Sequence, residues 1–221
     1  MNNKYPLSYD DLNDENPWRI PPGYFGNSSN NINTIDNFIS LEDLNKLFIF
    51  VKKINKWDNS HKTEEYEDGV SKYSSDLWYN RTCGPEIIKE LDIDIYNLID
   101  SYIDKMQVVL ENKYSARLRK RPPVIVCWRA GDFQVPHADK QVQDGRPNAF
   151  IDYDINSLFY LNDDFVGGDL FYPKHGIKIS PKSGLAVSHP GDIEYLHGVT
   201  PVLSGERWVI PSFYTVEEFI S

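Results

Sequence analysis

Cysteine is nearly absent. Cys83 and Cys127 are the only two in 221 residues, too few for a disulfide framework. Cys127 lies in the apolar run PVIVCW (123–128), where a buried free thiol is the expected state. Such usage fits a reducing compartment, and the expected location is the cytoplasm. Long apolar runs are missing too. No window approaches ~20 consecutive apolar residues, so no membrane-spanning helix is expected. The opening stretch MNNKYPLSYDDLNDENPW has no apolar segment, so no secretory signal is visible. Basic charge is in deficit: 23 Lys and Arg stand against 33 Asp and Glu, a formal net charge of −10. That argues against a nucleic-acid partner, which would need clustered Lys and Arg to meet a phosphate backbone. A basic peptide is a permitted partner, although acidity serves solubility alone in many proteins. Histidine is scarce as well, with five in all, so each can be weighed.

What is present is enough for a sizeable core in one domain: 40% of residues are hydrophobic and 14% aromatic. Residues 1–35 read as an N-terminal arm, partly loop-like, because PWRIPPGYFG is followed by the Asn/Ser run NSSNNIN. Trp18, Ile20, Tyr24 and Phe25 are candidates to pin it to the body. Residues 36–221 are expected to form a single domain, with helical support over 36–120 and a β core over 121–216. Ser40 and Asp43 resemble a capping box ahead of Leu41, Leu44, Leu47, Phe48, Val51 and Ile54 at helical spacing. A second helix is predicted from Asp94 to Lys113, with Ile95, Leu98, Ile99, Tyr102, Ile103, Met106 and Leu110 on one face. Residues 57–84 read as loops with room for a short strand. After Pro122-Pro123 come short β-branched and aromatic runs, PVIVCWRA, SLFYLN, GDLFYP, GLAVSH, YLHGVTPV and RWVIPSFY, separated by turn residues. Strands in succession without intervening helices point to a sandwich or barrel.

The chemistry concentrates in that β-rich half. His137-Ala138-Asp139 places an imidazole and a carboxylate two residues apart, on one side if the backbone is extended. By itself the pair is equally a strand-end histidine hydrogen-bonded to an acid. His197 follows 58 residues after Asp139. Two imidazoles and one carboxylate on one face of a metal leave its other positions open, the ligand set suited to non-haem Fe(II). Arg207 lies ten residues beyond His197, and a guanidinium can grip a carboxylate through two parallel hydrogen bonds. Leu203-Ser204-Gly205-Glu206 reads as a hairpin turn, which predicts that the Arg207 strand pairs with the His197 strand. Arg207 as a surface ion pair is the alternative, opposed by Val209 and Phe213 on its own face.

The order His-x-Asp, YLND (160–163), GGDLFYP (167–173), LHGVTPV (196–202) and Gly-x-Arg (205–207) resembles the 2-oxoglutarate/Fe(II) dioxygenase superfamily, particularly its prolyl 4-hydroxylase-like branch, over residues 123–215. The resemblance implies a mainly β fold with supporting α-helices, built on a double-stranded β-helix (jelly-roll) core. It implies Fe(II) held by His137, Asp139 and His197, with 2-oxoglutarate and O2 as co-substrates and ascorbate as reductant. The reaction would be C–H hydroxylation with release of succinate and CO2. Arg207, joined by Tyr160, would bind the distal carboxylate of 2-oxoglutarate. The chain departs from the branch at Trp128 and Gln134, where tyrosines are common. An acid at Asp139 favours hydroxylation over halogenation, because halogenating relatives carry a small residue there. His61 reads as a solvated loop residue, His175 as a turn residue and His189 as the rival to His197.

The substrate is left open between a prolyl residue of a peptide or protein and a free amino acid or other small molecule. The polar segment 140–157 and residues 57–84 are candidates to cover it. A Zn²⁺ enzyme on the same barrel and a catalytically silent binding module are the competing functions.

Overall fold

The computed structural model describes residues 18–58, 78, 80–142, 144–148 and 150–220. Helix α1 (Leu41–Val51) starts where Ser40 Oγ accepts the Asp43 N–H at 3.2 Å, capping a free donor of its first turn. It buries Leu44, Leu47, Phe50 and Val51, whereas Leu41, predicted inward, is 76% exposed. Helix α2 (Pro85–Leu91) was not anticipated, although Pro85 at its first position is a start signal. Helix α3 (Ile93–Tyr114) begins one residue ahead of the predicted Asp94. The Asp92 carboxylate caps it by accepting from Asp94 N and Ile95 N. Six of its seven predicted inward residues are buried, while Leu98 is half-buried at the edge of the core; each fully buried apolar one stabilises by about 1.5–3 kcal/mol relative to exposure.

Thirteen strands are named among the described residues: β1 (Asn33–Ile35), β2 (Thr82–Cys83), β3 (Ala116–Lys120), β4 (Ile125–Arg129), β5 (Gln134–His137), β6 (Ile155–Tyr160), β7 (Val166–Gly167), β8 (Leu170–Tyr172), β9 (Ile177–Ile179), β10 (Ala186–Pro190), β11 (His197–Val199), β12 (Val202–Ser204) and β13 (Glu206–Phe219). A major sheet runs β1-β10-β6-β13-β4-β2, with β3 also on β13. A four-stranded minor sheet runs β5-β11-β8-β9, and β12 pairs with β7. Every strand pair is antiparallel. The fold is a double-stranded β-helix, mainly β with helices packed outside.

Alternation along each strand divides the apolar residues into two cores. Trp208, Ile210 and Tyr214 of β13 join the layer shared with α1 and α3, where the Tyr214 hydroxyl reaches Ile103 O at 3.2 Å. Val209 faces the other way, with Val126, Trp128, Tyr160, Leu170 and Tyr172, into the layer between the sheets. One predicted pairing fails. β13 pairs with β3, β4 and β6, while β11 pairs with β5 and β8, so Arg207 and His197 lie in different sheets. Gly205 at φ +81 ends β12 and redirects the chain into the major sheet, which a local turn signal does not distinguish from a hairpin.

The segment 138–154 is no ordinary surface connection. Lys140 is 2% exposed and pairs with Asp154 at 2.5 Å, while donating to Ile20 O at 2.8 Å. The arm is thereby tied down at Ile20, and Phe25 packs edge-on against Tyr114 at 5.0 Å. Gly191 O accepts the N–H groups of Asp139 and Lys140 at 3.0 and 3.1 Å. A Cβ at Gly191 would stand 2.0 Å from Tyr153 O. Gly191→Ala is expected to destabilise by about 3 kcal/mol, the upper end of ordinary overpacking. Urea denaturation measures it, and an unchanged midpoint would show that the backbone yields at no cost.

Candidate active site

Strand pairing assembles the two histidines. His137 ends β5 and His197 begins β11, and the two are direct cross-strand partners with ring centroids 4.4 Å apart. Asp139 is not in the strand as the i, i+2 reading supposed; it sits in the bend after β5. That bend turns its carboxylate back toward the rings: Oδ1 lies 3.8 Å from His137 Nε2 and Oδ2 lies 3.6 Å from His197 Nε2. One ligand atom from each of the three falls within 4.8 Å of the others, an arrangement able to hold a metal ion.

The surroundings fit that use. His137 Nδ1 is 3.1 Å from Val135 O and His197 Nδ1 is 3.1 Å from Tyr195 O. A carbonyl accepts only a proton-bearing nitrogen, so each Nε2 carries the lone pair a metal needs. Burial holds both imidazoles down to about 4, keeping them neutral. Burial pushes Asp139 up to about 6, against the opposing influence of His137 and of the Asn156 amide that donates to its Oδ2. A divalent cation would reverse that shift, because it favours the carboxylate directly. Asn156 was missed by sequence reasoning, since an amide on a strand carries no motif. Gln134 Nε2 is 3.1 Å from His137 Nε2, so this departure from the tyrosine pattern places an amide against the ligand atom itself.

Arg207 lies on the inner face of β13 and is 1% exposed. Among the described residues its side chain forms no ion pair. Its Nη2 donates to Tyr160 Oη at 3.2 Å, and its Nε has no partner. The guanidinium stands 5.0 Å from the Tyr160 ring and 5.7 Å from the Trp128 ring. Gly168 lets the strand connection approach, because a Cβ there would be 2.9 Å from Arg207 Cδ. Burial lowers the pKa of Arg207, opposed by Tyr160 and Asp169. A buried cation with an open donor edge calls for an anion. Trp128 thus serves as the wall beneath Arg207 and is itself covered by Arg81 at 4.7 Å.

The other histidines separate cleanly. His175 stacks on Tyr195 at 5.1 Å and faces Glu194 O at 2.9 Å. His189 lies against His197 at 4.3 Å, yet the three-residue metal cluster does not include it. His61 falls outside the described residues.

The profile of the 2OG-Fe(II) oxygenase superfamily matches residues 124–215, somewhat less than half of the chain. The chain is similar there to prolyl hydroxylases. It is 34% identical over 91 residues to human prolyl 3-hydroxylase 3, covering 36% of this chain and 12% of that protein. To the bovine prolyl 4-hydroxylase subunit alpha-1 it is 35% identical over 97 residues, covering 38% and 18%. The chain therefore spans less than a fifth of the length of these two relatives. The viral collagen prolyl hydroxylase of Paramecium Bursaria Chlorella virus-1, solved as a 2OG complex, superposes with a TM-score of 0.56 at 18% identity, covering 87% of this chain and 99% of that one. That likeness bears on the fold. No helix among the described residues is long and apolar enough to cross a membrane.

Proposed function

We propose that the chain hydroxylates a C–H bond of a prolyl residue in a peptide or protein, using Fe(II), 2-oxoglutarate and O2 and releasing succinate and CO2. The observation that carries the reading is the pairing of two sites in one inter-sheet layer: a Nε2/Nε2/carboxylate cluster and a buried guanidinium with no anion. His137, Asp139 and His197 hold the iron from one face. Arg207 and Tyr160 hold the distal carboxylate of 2-oxoglutarate, and Trp128 keeps water from the guanidinium. When bound, the iron lets O2 oxidise the co-substrate to succinate and CO2 while one oxygen atom enters the substrate C–H bond. The protein's own part is to orient: carbonyls on each Nδ1 aim the rings, and Asn156 aims the carboxylate.

The prolyl assignment is supported by the similarity to a prolyl 3-hydroxylase and to a prolyl 4-hydroxylase subunit. Residues 36–221 act as one oxygenase domain, with 36–120 in support and 1–35 as an arm. Cys83 and Cys127 are buried free thiols, which supports a reducing compartment such as the cytoplasm, and ascorbate is the reductant. Anaerobic addition of 2-oxoglutarate to the Fe(II) protein is expected to produce a weak visible charge-transfer band, as chelation at an open facial site does. Folded, iron-loaded protein without that band would sink the reading. A screen of prolyl peptides, free amino acids and other small molecules, read by succinate and by the gain of one oxygen atom, then identifies the substrate class.

A further inference from the structure

Among the buried polar atoms around the site that have no hydrogen-bond partner are Arg207 Nε, His189 Nε2 and Tyr172 Oη. The first belongs to the distal-carboxylate site already described. The other two belong to residues that no motif of the site includes. Tyr172 ends β8, with Leu170 and Tyr172 buried inward and Phe171 turned the other way. Its ring centroid lies 5.9 Å from that of His197 and 5.3 Å, edge-on, from that of His189. His189 projects from β10 of the opposite sheet, where its register partner on β6 is Asn156, the residue that holds Asp139. Burial raises the phenol of Tyr172 well above 10, and Tyr160 and Asp139 both add to the rise. Tyr172 shares the inter-sheet layer with Tyr160, the partner of Arg207, and lies beside the ring of His197.

A buried tyrosine normally finds a partner for its hydroxyl. Leaving it unsatisfied costs about 1–3 kcal/mol, so a well-packed fold retains such a group where a ligand completes it. The two orphans differ in polarity. His189 Nδ1 faces Pro190 O at 2.9 Å and bears the proton, so His189 Nε2 is an acceptor and cannot meet a carboxylate directly. Tyr172 Oη is a donor.

We propose that the Tyr172 hydroxyl donates a hydrogen bond to the bound 2-oxo acid between the metal cluster and Arg207, with the His189 ring packed against Tyr172 to hold it in place. Tyr172 is then a co-substrate-binding residue beyond Arg207 and Tyr160, and His189 is a positioning residue. The assignment rests on the reading of the site as one for Fe(II) and 2-oxoglutarate.

Tyr172→Phe deletes only the oxygen. Three quantities are compared with wild type: the urea midpoint of the ligand-free protein, the Mn(II) affinity, and the 2-oxoglutarate affinity of the Mn(II)-loaded protein by calorimetry. The midpoint is expected to stay equal or rise, since an unsatisfied group has been removed. Mn(II) affinity is expected to stay within twofold. The Kd for 2-oxoglutarate is expected to rise about 10- to 100-fold, the range for a hydrogen bond to a charged group. Unchanged 2-oxoglutarate affinity in the variant, with wild type binding normally, overturns the role of Tyr172 and leaves the proposed function standing. A lowered midpoint or failure to fold makes the hydroxyl structural and also overturns it. Metal-loaded wild type that does not bind 2-oxoglutarate removes the proposed function and this inference with it.

Discussion

Asp139→Ala is expected to abolish succinate formation and to strip iron from the purified protein. Asp139 is the only anionic member of the cluster, and the two imidazoles that remain are neutral. Losing an outer partner of a ligand costs about 10–100-fold in metal affinity, and losing the ligand itself should exceed that. Asn156→Ala, which frees the carboxylate from its amide donor, should fall within that smaller range and so provides a graded comparison. Ligand-free Asp139→Ala should remain folded, because burial already disfavours the Asp139 carboxylate, pushing it up to about 6. Metal content by elemental analysis and urea denaturation test both halves. Stoichiometric iron in the Ala variant would show that the cluster is not the iron site.

Arg207→Met is expected to weaken 2-oxoglutarate binding by ~2 kcal/mol or more, the loss of at least one charge-assisted hydrogen bond in a buried setting. Its signature is the opposite behaviour of stability. Arg207 is 1% exposed, with Nε unpartnered and no ion pair among the described residues. Removing such a cation relieves a desolvation cost, so the ligand-free Met variant should be no less stable than wild type. Arg207→Lys keeps the charge but loses the planar fork, and should fall between the two in affinity. Urea midpoints and calorimetric titration with 2-oxoglutarate decide the matter. A Met variant that is destabilised yet binds 2-oxoglutarate normally would make Arg207 a structural residue.

Much of this was legible before any coordinates. His-x-Asp, the second histidine and Gly-x-Arg marked the residues that the fold brings into one layer, because ligand chemistry restricts residue type severely. The α3 face was legible because about six turns of helical spacing leave little ambiguity. The highly charged β3, ARLRK, was not, since its strand state comes from pairing with the long β13 and from Gln107 and Glu111 of α3 bonding the Leu118 backbone. Nor was α2, whose seven residues are too few to show a period.

Side-chain type and local spacing thus determined which residues are the candidates for the chemistry and which way each strand face alternates. Only the tertiary structure decided that His197 and Arg207 stand on opposite sheets, that Asp139 reaches the histidines from a bend, and that Tyr172 and His189 meet beside them unpaired. Periodicity specifies a face but not what it meets. That depends on antiparallel registers closed between residues tens of positions apart, such as His137 with His197 and His189 with Asn156, and no local pattern encodes them.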